Sequence, residues 1–269
     1  MKKKLLILIV AFNHEKFIQK VLNRIDEKLN DIYEVEILIN DDSSSDKTVQ
    51  LTKEYIEQSD KKFRYTVLSN PVNQGYGGNQ KIGFLYAVKN NFDYVALVHG
   101  DGQYAPEYLE SLLKPFSNKN VDAVFGSRMI NKNGAIKGGM PLYKYIGNKI
   151  LTFYQNKIFN KNLTEFHSGY RIYNVESLKK IPYELNNNDH SFDNEIIIQL
   201  LLSNMNIKEL PIPTYYGDEI SYVNGFKYAW QVFIENLKAK VQKYGIFHNR
   251  KYNFLEENNF NYVLKNDFE

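Results

Sequence analysis

Apolar runs of strand length alternate along the chain with segments whose apolar residues recur at helical spacing. The strand-like runs are Leu5–Ala11, Val35–Ile39, Phe63–Leu68, Tyr94–Val98, Val121–Phe125 and Ile207–Ile212. Leu5–Ala11 and Tyr94–Val98 are uninterrupted apolar runs, which are typical of strands buried on both faces of a sheet. We therefore expect an α/β fold with a mostly parallel central sheet, right-handed crossovers and flanking helices, Rossmann-like in its N-terminal half.

Helical patterns separate most of these strands. Residues 17–25 predict one helix from about His14 to Leu29, and a longer pattern runs from Tyr143 to Tyr154. Further helices are expected near residues 49–56, 82–88, 108–116, 192–202 and 226–244, and residues 167–173 predict a turn into a strand. We interpret residues 1–225 as one domain and residues 226–269 as a C-terminal helical extension packed on it.

Composition narrows the class of protein. The chain has 269 residues, no cysteine and a net charge of +3, so disulfides and thiolate chemistry are excluded and bulk charge predicts no nucleic-acid partner. The segment from Lys2 to Val10 is too short for a signal peptide and lacks a small-residue cleavage site. No apolar run reaches the roughly 18 to 20 residues that a bilayer crossing needs. We expect a cytoplasmic location, at most at the inner face of the membrane.

The stretch Val95–Pro106 combines a buried strand, an abrupt polar break and the start of a helix. Asp101 follows the strand and has a glycine on each side, and Pro106 is typical of a first helical turn. In open α/β sheets, ligands bind at the carboxyl ends of the strands, and glycines there allow a close backbone approach. Asp101 is therefore the first candidate for contact with a ligand.

Polar residues follow two other predicted strands as well. Asp41 and Asp42 come after the second strand, and Gly126–Arg128 follows the fifth. Because the carboxyl ends of parallel strands share one edge of a sheet, these groups and Asp101 are expected to meet in one cleft. Converging carboxylates need a cation, and a hard divalent ion bridging a diphosphate meets that need. We therefore expect Mn²⁺ or Mg²⁺ at Asp101.

Five short motifs lie at or after predicted strand ends. They are Val10–Glu15, Asn40–Thr48, Asn73–Asn79, Asp101–Pro106 and Gly126–Arg128. Together they resemble the family 2 glycosyltransferases of the GT-A fold, most closely the branch of dolichyl- and polyprenyl-phosphate sugar transferases, over roughly residues 5–225. The resemblance implies inverting transfer of a sugar from a UDP- or GDP-linked donor to a glycan or lipid-phosphate acceptor, in cell-envelope, lipid-linked or surface polysaccharide synthesis.

The resemblance also implies a donor site at the strand ends. By their places in the motifs, Asp41 and Asp42 would contact the base and ribose, and Asp101 with Gln103 would hold the metal and diphosphate. His99 stands where many family members have the first Asp of the metal motif, and it is a second candidate metal ligand. The expected donor-contacting residues are Ala11, Asn13, Glu15, Asp41, Asp42, Gly75, Asn79, Gly100, Asp101, Gln103, Arg128 and Arg171.

The nature of the acceptor decides whether a catalytic base is needed. A hydroxyl acceptor needs one, and Asp193 or Glu195 at the head of an apolar helix is the candidate. A phosphate acceptor is already ionised and needs none. In either case Arg128 would help to stabilise the departing diphosphate. Where many lipid-phosphate transferases of the family carry Arg-x-x-Gly-x-Ser-Lys, this chain has Tyr216–Tyr222.

Each candidate has a simpler structural role as its alternative. Turn-forming, helix-capping and ion-pairing roles would account for the Asp and Arg residues, and first-turn helix acids for Asp193 and Glu195. The tail from Tyr228 to Tyr252 either packs on the core or makes a peripheral membrane contact. A catalytically degenerate sugar-nucleotide-binding protein is the non-enzymatic alternative. A nucleotidyltransferase would need a glycine-rich basic loop directly after the first strand, where Ala11–Glu15 stands instead.

Overall fold

One central sheet organises the molecule. The computed structural model describes residues 1–118, 120–131, 134–216, 225–242 and 249–252. Within them the strands are β1 (Lys3–Ala11), β2 (Tyr33–Asp41), β3 (Arg64–Ser69), β4 (Tyr94–His99), β5 (Ala123–Ser127), β6 (Arg171–Asn174) and β7 (Ile207–Pro211). They form a seven-stranded sheet in the order β3-β2-β1-β4-β6-β5-β7.

The sheet is mostly parallel, as the alternating pattern predicted. β1 pairs in parallel with β2 and β4, β2 with β3, and β5 with β7. β6 lies between β4 and β5 and runs antiparallel to both. Because two antiparallel pairings restore the direction, β5 ends at the same edge of the sheet as β1, β2 and β4. The start of β6 lies at that edge as well, and this brings Arg171 towards the predicted cleft.

Helices cover both faces of the sheet. They are α1 (Ile18–Asn23), α2 (Leu29–Ile32), α3 (Thr48–Gln58), α4 (Gly75–Lys89), α5 (Leu109–Leu113), α6 (Gly134–Lys137), α7 (Leu142–Phe159), α8 (Val175–Leu178), α9 (Phe192–Leu202) and α10 (Gly225–Gln242). Short 3₁₀ turns at Pro106–Tyr108 and Lys114–Ser117 flank α5, and a third lies at Tyr183–Leu185.

The prediction of one helix from His14 to Leu29 was wrong. The chain instead leaves α1 after Asn23, turns, and enters the short α2 at Leu29. In the turn, Asp26 Oδ1 accepts a hydrogen bond from Lys28 N at 3.0 Å. Ile25 and Leu29 are both buried although the helix is interrupted between them. An interrupted helix therefore buries these two residues as well as a continuous one would. The spacing of apolar residues in the sequence does not distinguish the two structures.

The core has two layers because successive β1 side chains point to opposite faces. Leu5, Ile7 and Ile9 pack on the face covered by α1, α3 and α5. Leu6 and Leu8 pack on the other face with side chains of α4, α8 and α9. All five of these β1 side chains are fully buried, which explains why the strand reads as a continuous apolar run.

The C-terminal segment is described only in part. α10 packs against α7 and α9, so the predicted tail helix is present, and residues 249–252 are also described. Most of the Tyr216–Tyr222 segment and the end of the expected extension lie outside the described residues. Among the helices in the described ranges, none has the length and apolar character to span a membrane.

Candidate active site

The carboxyl ends of β2, β1 and β4 are tied side by side. Ala11 stands beside Asp41 in the β1–β2 register, and Val10 stands beside His99 in the β1–β4 register. The next residues continue these pairings, since Asp42 N donates to Ala11 O at 2.8 Å and Gly100 N donates to Val10 O at 3.0 Å. The loops that begin with Asp42 and Gly100 therefore leave the sheet on either side of β1.

Asp41 and Asp42 are both buried at this edge. Asp42 Oδ1 accepts hydrogen bonds from Gln74 N at 2.7 Å and from Asn70 Nδ2 at 2.8 Å, which fixes the turn before α4. Asp41 Oδ2 accepts from Ser44 N at 3.0 Å. Its other oxygen, Oδ1, is buried and has no hydrogen-bond partner among the described residues. A buried carboxylate oxygen without a donor is costly, so a donor from a ligand would be stabilising there.

Asn13 and Glu15 join the loop after β1 to the loop after β2. Asn13 adopts a left-handed backbone conformation, with φ of 56°, which asparagine tolerates better than most residues. Its Oδ1 accepts from Ser45 N at 2.9 Å, and Glu15 Oε2 accepts from Lys47 N at 3.1 Å. These side chains therefore hold the two loops together at the carboxyl edge of the sheet.

The glycine-rich turn docks on the segment before α9. Gly75 has φ of +80°, and a Cβ there would lie 2.5 Å from Asn188 O. Asn79 then secures α4 to the end of β2, because its Nδ2 donates to Asn40 O at 3.0 Å while Asn40 Nδ2 donates back to Asn79 O at 2.9 Å. The glycine at position 75 is thus explained by a close backbone approach within the chain.

Asp101 lies in a tight turn directly after β4. Its Oδ1 accepts from Gln103 N at 2.9 Å, and Gly102 has φ of +75°. His14 lies beside this turn, since a Cβ at Gly100 would be 2.7 Å from His14 Nδ1, an atom that is buried with no partner among the described residues. Burial lowers the pKa of His14, while the negative charge of Asp101 acts in the opposite direction. A neutral imidazole therefore stands next to the candidate metal-binding carboxylate.

A buried hydrogen-bond chain runs from His99 to Asp193. Tyr76 Oη lies 3.1 Å from His99 Nε2 and donates to Asp193 Oδ2 at 2.9 Å. Since the Tyr76 hydroxyl proton is directed to the carboxylate, Nε2 of His99 is assigned as the donor to that hydroxyl. Burial lowers the pKa of His99, which favours the neutral imidazole. Nδ1 is then the basic nitrogen of His99.

Asp193 is fully engaged by its neighbours. Besides the Tyr76 hydroxyl at Oδ2, its Oδ1 accepts from Gln80 Nε2 at 3.2 Å and lies 3.4 Å from Arg171 Nη1. Glu195 points elsewhere, because positions two apart on a helix do not share a face. It is fully buried, with Oε1 2.9 Å from Lys251 Nζ and Oε2 accepting from Asn187 N at 2.6 Å. Burial raises the pKa of Glu195, and Lys251 opposes that rise.

Arg128 has its partners within the protein. It forms a buried ion pair with Glu165 through Nη2 and Nε, and Nη2 also donates to His167 O at 3.1 Å. Burial alone would raise the pKa of Glu165, but the neighbouring guanidinium lowers it below its usual value. A contact between Arg128 and a donor phosphate therefore stays a prediction, and the structure assigns this side chain a role in holding residues 165–167.

Arg171 supports the same segment from the other side. It is fully buried, and it donates to Ser168 O at 2.8 Å, to Asp193 O at 2.8 Å and to Phe166 O at 3.1 Å. Its expected contact with the donor likewise stays a prediction. The two arginines together position the loop before β6 and the start of α9, which lie beside the carboxyl end of β4.

Sequence reasoning missed several residues of this site. Tyr76, Gln80 and Glu165 hold the candidate residues, and His190 stacks on Tyr76 with ring centroids 4.7 Å apart. Tyr76 lies inside the glycine-rich motif, but nothing in the pattern indicates that its hydroxyl reaches Asp193, 117 residues later in the chain. Such partners are decided by how the loops fold against one another.

A mostly parallel sheet with acidic side chains at its carboxyl edge and an antiparallel strand inserted next to it is the arrangement of GT-A glycosyltransferases. Among solved structures, glucosyl-3-phosphoglycerate synthase from Mycobacterium tuberculosis, crystallised with Mn²⁺, UDP and phosphoglyceric acid, superposes with a TM-score of 0.65 at 14% identity, covering 92% of this chain and 80% of that one. This likeness confirms the predicted fold.

The chain belongs to Glycosyl transferase family 2, whose sequence profile matches residues 6–182. A UDP-N-acetylglucosamine–dolichyl-phosphate N-acetylglucosaminyltransferase of Methanococcus voltae is 30% identical, covering 90% of this chain and 99% of the relative. An undecaprenyl-phosphate mannosyltransferase of Micrococcus luteus is 23% identical, covering 78% and 82% respectively. The resemblance drawn from the five motifs is confirmed, and the protein is a glycosyltransferase.

Proposed function

We propose that this glycosyltransferase moves a sugar, with inversion, from a nucleotide-diphosphate sugar to the phosphate of a polyprenyl or dolichyl lipid. Two relatives named above act on lipid phosphates, and they match the chain over most of its length. The observation that carries the proposal is the state of the two candidate bases. Both Asp193 and Glu195 are already committed to partners within the protein.

A hydroxyl acceptor would need a base within hydrogen-bond reach of its proton. Both carboxylate oxygens of Asp193 are hydrogen-bonded, and Glu195 is buried against Lys251. A lipid phosphate brings its own negative charge to the reaction, so it attacks the anomeric carbon without proton removal. The acceptor class that needs no base therefore fits the site better than a glycan hydroxyl.

The donor nucleotide would lie over the ends of β1 and β2. Asp41 Oδ1 is buried and lacks a donor among the described residues, and a base N–H or a ribose hydroxyl would supply one. Ala11, Asn13 and Glu15 shape the floor and rim of this place, and Asp42 holds the adjoining turn. The choice between uracil and guanine is part of the test below, and the Methanococcus voltae relative is named for UDP-N-acetylglucosamine.

A divalent metal fits the turn after β4. Among the described residues there is no group of three or more His, Asp or Glu side chains that could hold a metal by itself. Mg²⁺, however, commonly takes one or two protein carboxylates and completes its shell with substrate phosphates. Asp101 offers such a carboxylate, and Nδ1 of His99 is the nitrogen that its tautomer leaves basic. When bound, the ion would neutralise charge on the diphosphate leaving group.

The residues around this turn act by position and charge. Asp101 would fix the place of the diphosphate, while the loop held by Arg128 and Arg171 would close one side of the cleft against water. Tyr76 and Asp193 keep His99 in one tautomer and one orientation. The bond from the sugar to the diphosphate then breaks as the bond to the acceptor phosphate forms, and the anomeric configuration inverts.

The reaction can be tested with UDP- and GDP-sugars and polyprenyl phosphate in detergent. We expect transfer to polyprenyl phosphate and none to the corresponding polyprenol. Asp101→Asn should lower kcat by about a hundredfold or more, since a fixed charge at the leaving group is lost. Asp31→Asn, an exposed carboxylate on α2 at the far end of β2, is the matched control and should leave kcat unchanged.

Two outcomes would contradict the proposal. Transfer to the alcohol, with a pH profile that is altered by Glu195→Gln, would restore the base-dependent mechanism. Donor binding by calorimetry without transfer to any lipid phosphate would favour a sugar-nucleotide-binding protein without catalysis.

A further inference from the structure

Helix α7 presents its apolar side to the outside of the molecule. Its exposed large apolar side chains are Leu142, Tyr143, Ile146, Ile150 and Phe153. Ile150 is 62% exposed and Phe153 is 65% exposed. At 3.6 residues per turn, these positions form one stripe. The buried positions of the same helix are polar, namely Asn148, Thr152 and Gln155. This is the reverse of the usual helix of a globular protein, whose apolar stripe faces the core.

Helix α10 likewise carries an exposed apolar stripe. Phe226, Trp230, Phe233 and Leu237 recur at helical spacing and are all exposed, with Trp230 65% exposed. Its buried residues are polar at Glu235, Asn236 and Gln242 and apolar at Val232 and Ala239. Two neighbouring helices that each expose an apolar stripe and bury several polar side chains are a stronger signal than scattered exposed apolar side chains, which are normal on protein surfaces.

The two stripes join into one surface. The rings of Tyr154 on α7 and Phe233 on α10 stack with centroids 5.0 Å apart, and Trp230 stacks on Phe233 at 6.0 Å. Beneath them, Asn194 Oδ1 of α9 accepts from Gln155 Nε2 at 2.7 Å and from Asn236 Nδ2 at 3.2 Å. These buried hydrogen bonds between side-chain amides fix how each helix is rotated about its own axis. We name the exposed stripes of α7 and α10, with Tyr154, the α7/α10 apolar surface.

The charges of the two helices are almost all positive. Together they carry six lysines, at positions 144, 149, 157, 227, 238 and 240, and one acid, Glu235. Glu235 is buried and pairs with Lys238 at 2.7 Å. The ammonium groups of Lys149 and Lys157 lie over the rings of Tyr145 and Phe153, at 4.6 Å and 5.6 Å from the ring centroids, so positive charge is held beside the aromatic residues. Aromatic residues ringed by lysines complement the boundary between lipid tails and anionic headgroups.

We propose that the α7/α10 apolar surface docks the enzyme on an anionic lipid bilayer, with both helices lying along the headgroup boundary. A second copy of the chain fits this surface less well, because face-to-face packing would bring the lysines of the two copies together. The tail helix was expected from sequence to pack on the core or to touch a membrane. In the structure its inner face packs on α7 and α9, and its outer apolar face is left exposed. The proposal assigns that outer face to the membrane together with α7, which was not expected from sequence.

The docked surface adjoins the active site through the inner sides of the same helices. Asn148 of α7 donates to Glu165 Oε1 at 2.7 Å, and Tyr228 of α10 lies 3.0 Å from His167 Nδ1. The inference deepens the proposed function, since a lipid phosphate would reach the cleft from the plane of the membrane. Bilayer binding is nevertheless measured without donor or acceptor, so its failure and the failure of the transfer reaction are separate results.

Trp230 allows a direct test because it is the only tryptophan in the chain. The full chain is mixed with vesicles of phosphatidylcholine alone, or with added phosphatidylglycerol, and the emission of Trp230 is recorded together with vesicle co-sedimentation. We expect a blue shift and protection from acrylamide quenching with the anionic vesicles. Rising salt should weaken the binding, because screening reduces the attraction of the lysines.

Variants assign the binding to this surface. Ile150→Ser combined with Phe153→Ser should weaken vesicle binding by roughly tenfold to a hundredfold, because two apolar side chains no longer enter the boundary. Ile32→Ser, which alters an apolar side chain that is 52% exposed on α2, should bind as the unaltered protein does. Thermal unfolding of all variants in the absence of vesicles should be nearly the same, since these side chains are exposed.

Three results would overturn the proposal. One is an unchanged Trp230 spectrum with anionic vesicles. Another is a spectrum that shifts with protein concentration alone, with dimers in sedimentation, which would assign the surface to a second copy. The last is a Trp230 already shielded from acrylamide in the monomer, which would show that the chain covers this surface itself.

Discussion

The side chains at the end of β4 form a chain of proton donors and acceptors in which each member fixes the next. The Tyr76 hydroxyl donates to Asp193 at 2.9 Å and accepts from His99 at 3.1 Å. Burial raises the pKa of Tyr76 and lowers the pKa of His99, so both stay neutral near pH 7. A neutral, oriented imidazole is compatible with a neighbouring metal ion, whereas an imidazolium would repel it.

Tyr76→Phe removes one oxygen atom and so tests how much the hydrogen bonds from His99 through Tyr76 to Asp193 stabilise the protein. The variant leaves Asp193 Oδ2 without its donor and His99 Nε2 without its acceptor. We expect the free energy of unfolding in urea to fall by about 1–3 kcal/mol, the usual cost of leaving such buried groups unpaired. Tyr108→Phe is the control, since Tyr108 is 38% exposed and its loss of a hydroxyl should have little effect. Equal stability of the two variants would show that the Tyr76 hydroxyl does not contribute to the free energy of unfolding.

At the residue scale, sequence predicts which side chains gather at the edge of the sheet, but not what each one touches. Asp42, Asp101 and Arg128 were placed at this edge because they follow strands, and all three do lie there. Arg128, however, meets Glu165, which is 37 residues away in the chain, and Arg171 meets backbone carbonyls. An arginine at a strand end is recognisable from sequence, whereas its partner depends on loop packing that no local pattern encodes.

Helices and strands could be predicted where burial of one face gives the apolar residues a regular spacing. They were missed where two different local structures would bury the same residues. Helix α9 begins and ends at the predicted residues, Phe192 and Leu202. The interrupted segment α1–α2 was predicted as one helix, because Ile25 and Leu29 are buried in either case. The direction of β6 could not be read from sequence, since a four-residue strand of Arg-Ile-Tyr-Asn pairs equally well either way until its neighbours are known.

Two helical glycines provide a matched test of how α4 packs on β1. A Cβ at Gly83 would overlap the Leu8 side chain, which is fully buried, whereas a Cβ at Gly147 of α7 would meet nothing within 4 Å. Alanine favours a helix over glycine by about 1 kcal/mol at both positions. Overpacking adds a cost of roughly 1–3 kcal/mol at Gly83 alone.

We therefore expect Gly147→Ala to raise the free energy of unfolding and Gly83→Ala to lie below it by about 1–3 kcal/mol. Urea denaturation of the two variants beside the unaltered protein gives the difference directly, and helix propensity cancels from it. If Gly83→Ala were as stable as Gly147→Ala, Leu8 would have room to move, and the close contact of α4 with β1 would not be required.

At the scale of the whole molecule, histidines from four separate segments lie around the carboxyl edge of the sheet. His14 follows β1, His99 ends β4, His167 precedes β6 and His190 precedes α9. Burial lowers the pKa of each of them. In His167, Nδ1 lies 3.0 Å from Tyr228 Oη while Nε2 is buried without a partner among the described residues. Burial, with help from the nearby arginines, lowers its pKa to about 4.

These histidines make the folded state sensitive to acid. An unfolded histidine binds a proton near pH 6.5, whereas folded His167 does so only near pH 4, its pKa being about 4. Between those values the unfolded state holds the extra proton, so the free energy of unfolding falls as the pH falls, by up to about 1.4 kcal/mol per pH unit for each such residue. Above pH 6.5 this contribution is constant.

His167→Gln measures how much the protonation of this one histidine contributes to the pH dependence of stability. Urea denaturation at several values of pH between 4.5 and 7.5 should show that the unaltered protein loses stability towards acid and that the variant loses it less steeply, by about one proton in the slope. The comparison is needed because burial raises the pKa values of Glu195 and Glu209, and this opposes the histidines in the same range. A variant with an unchanged slope would mean that His167 takes up its proton in the folded cleft, and hence that the cleft is more open to water than its packing indicates.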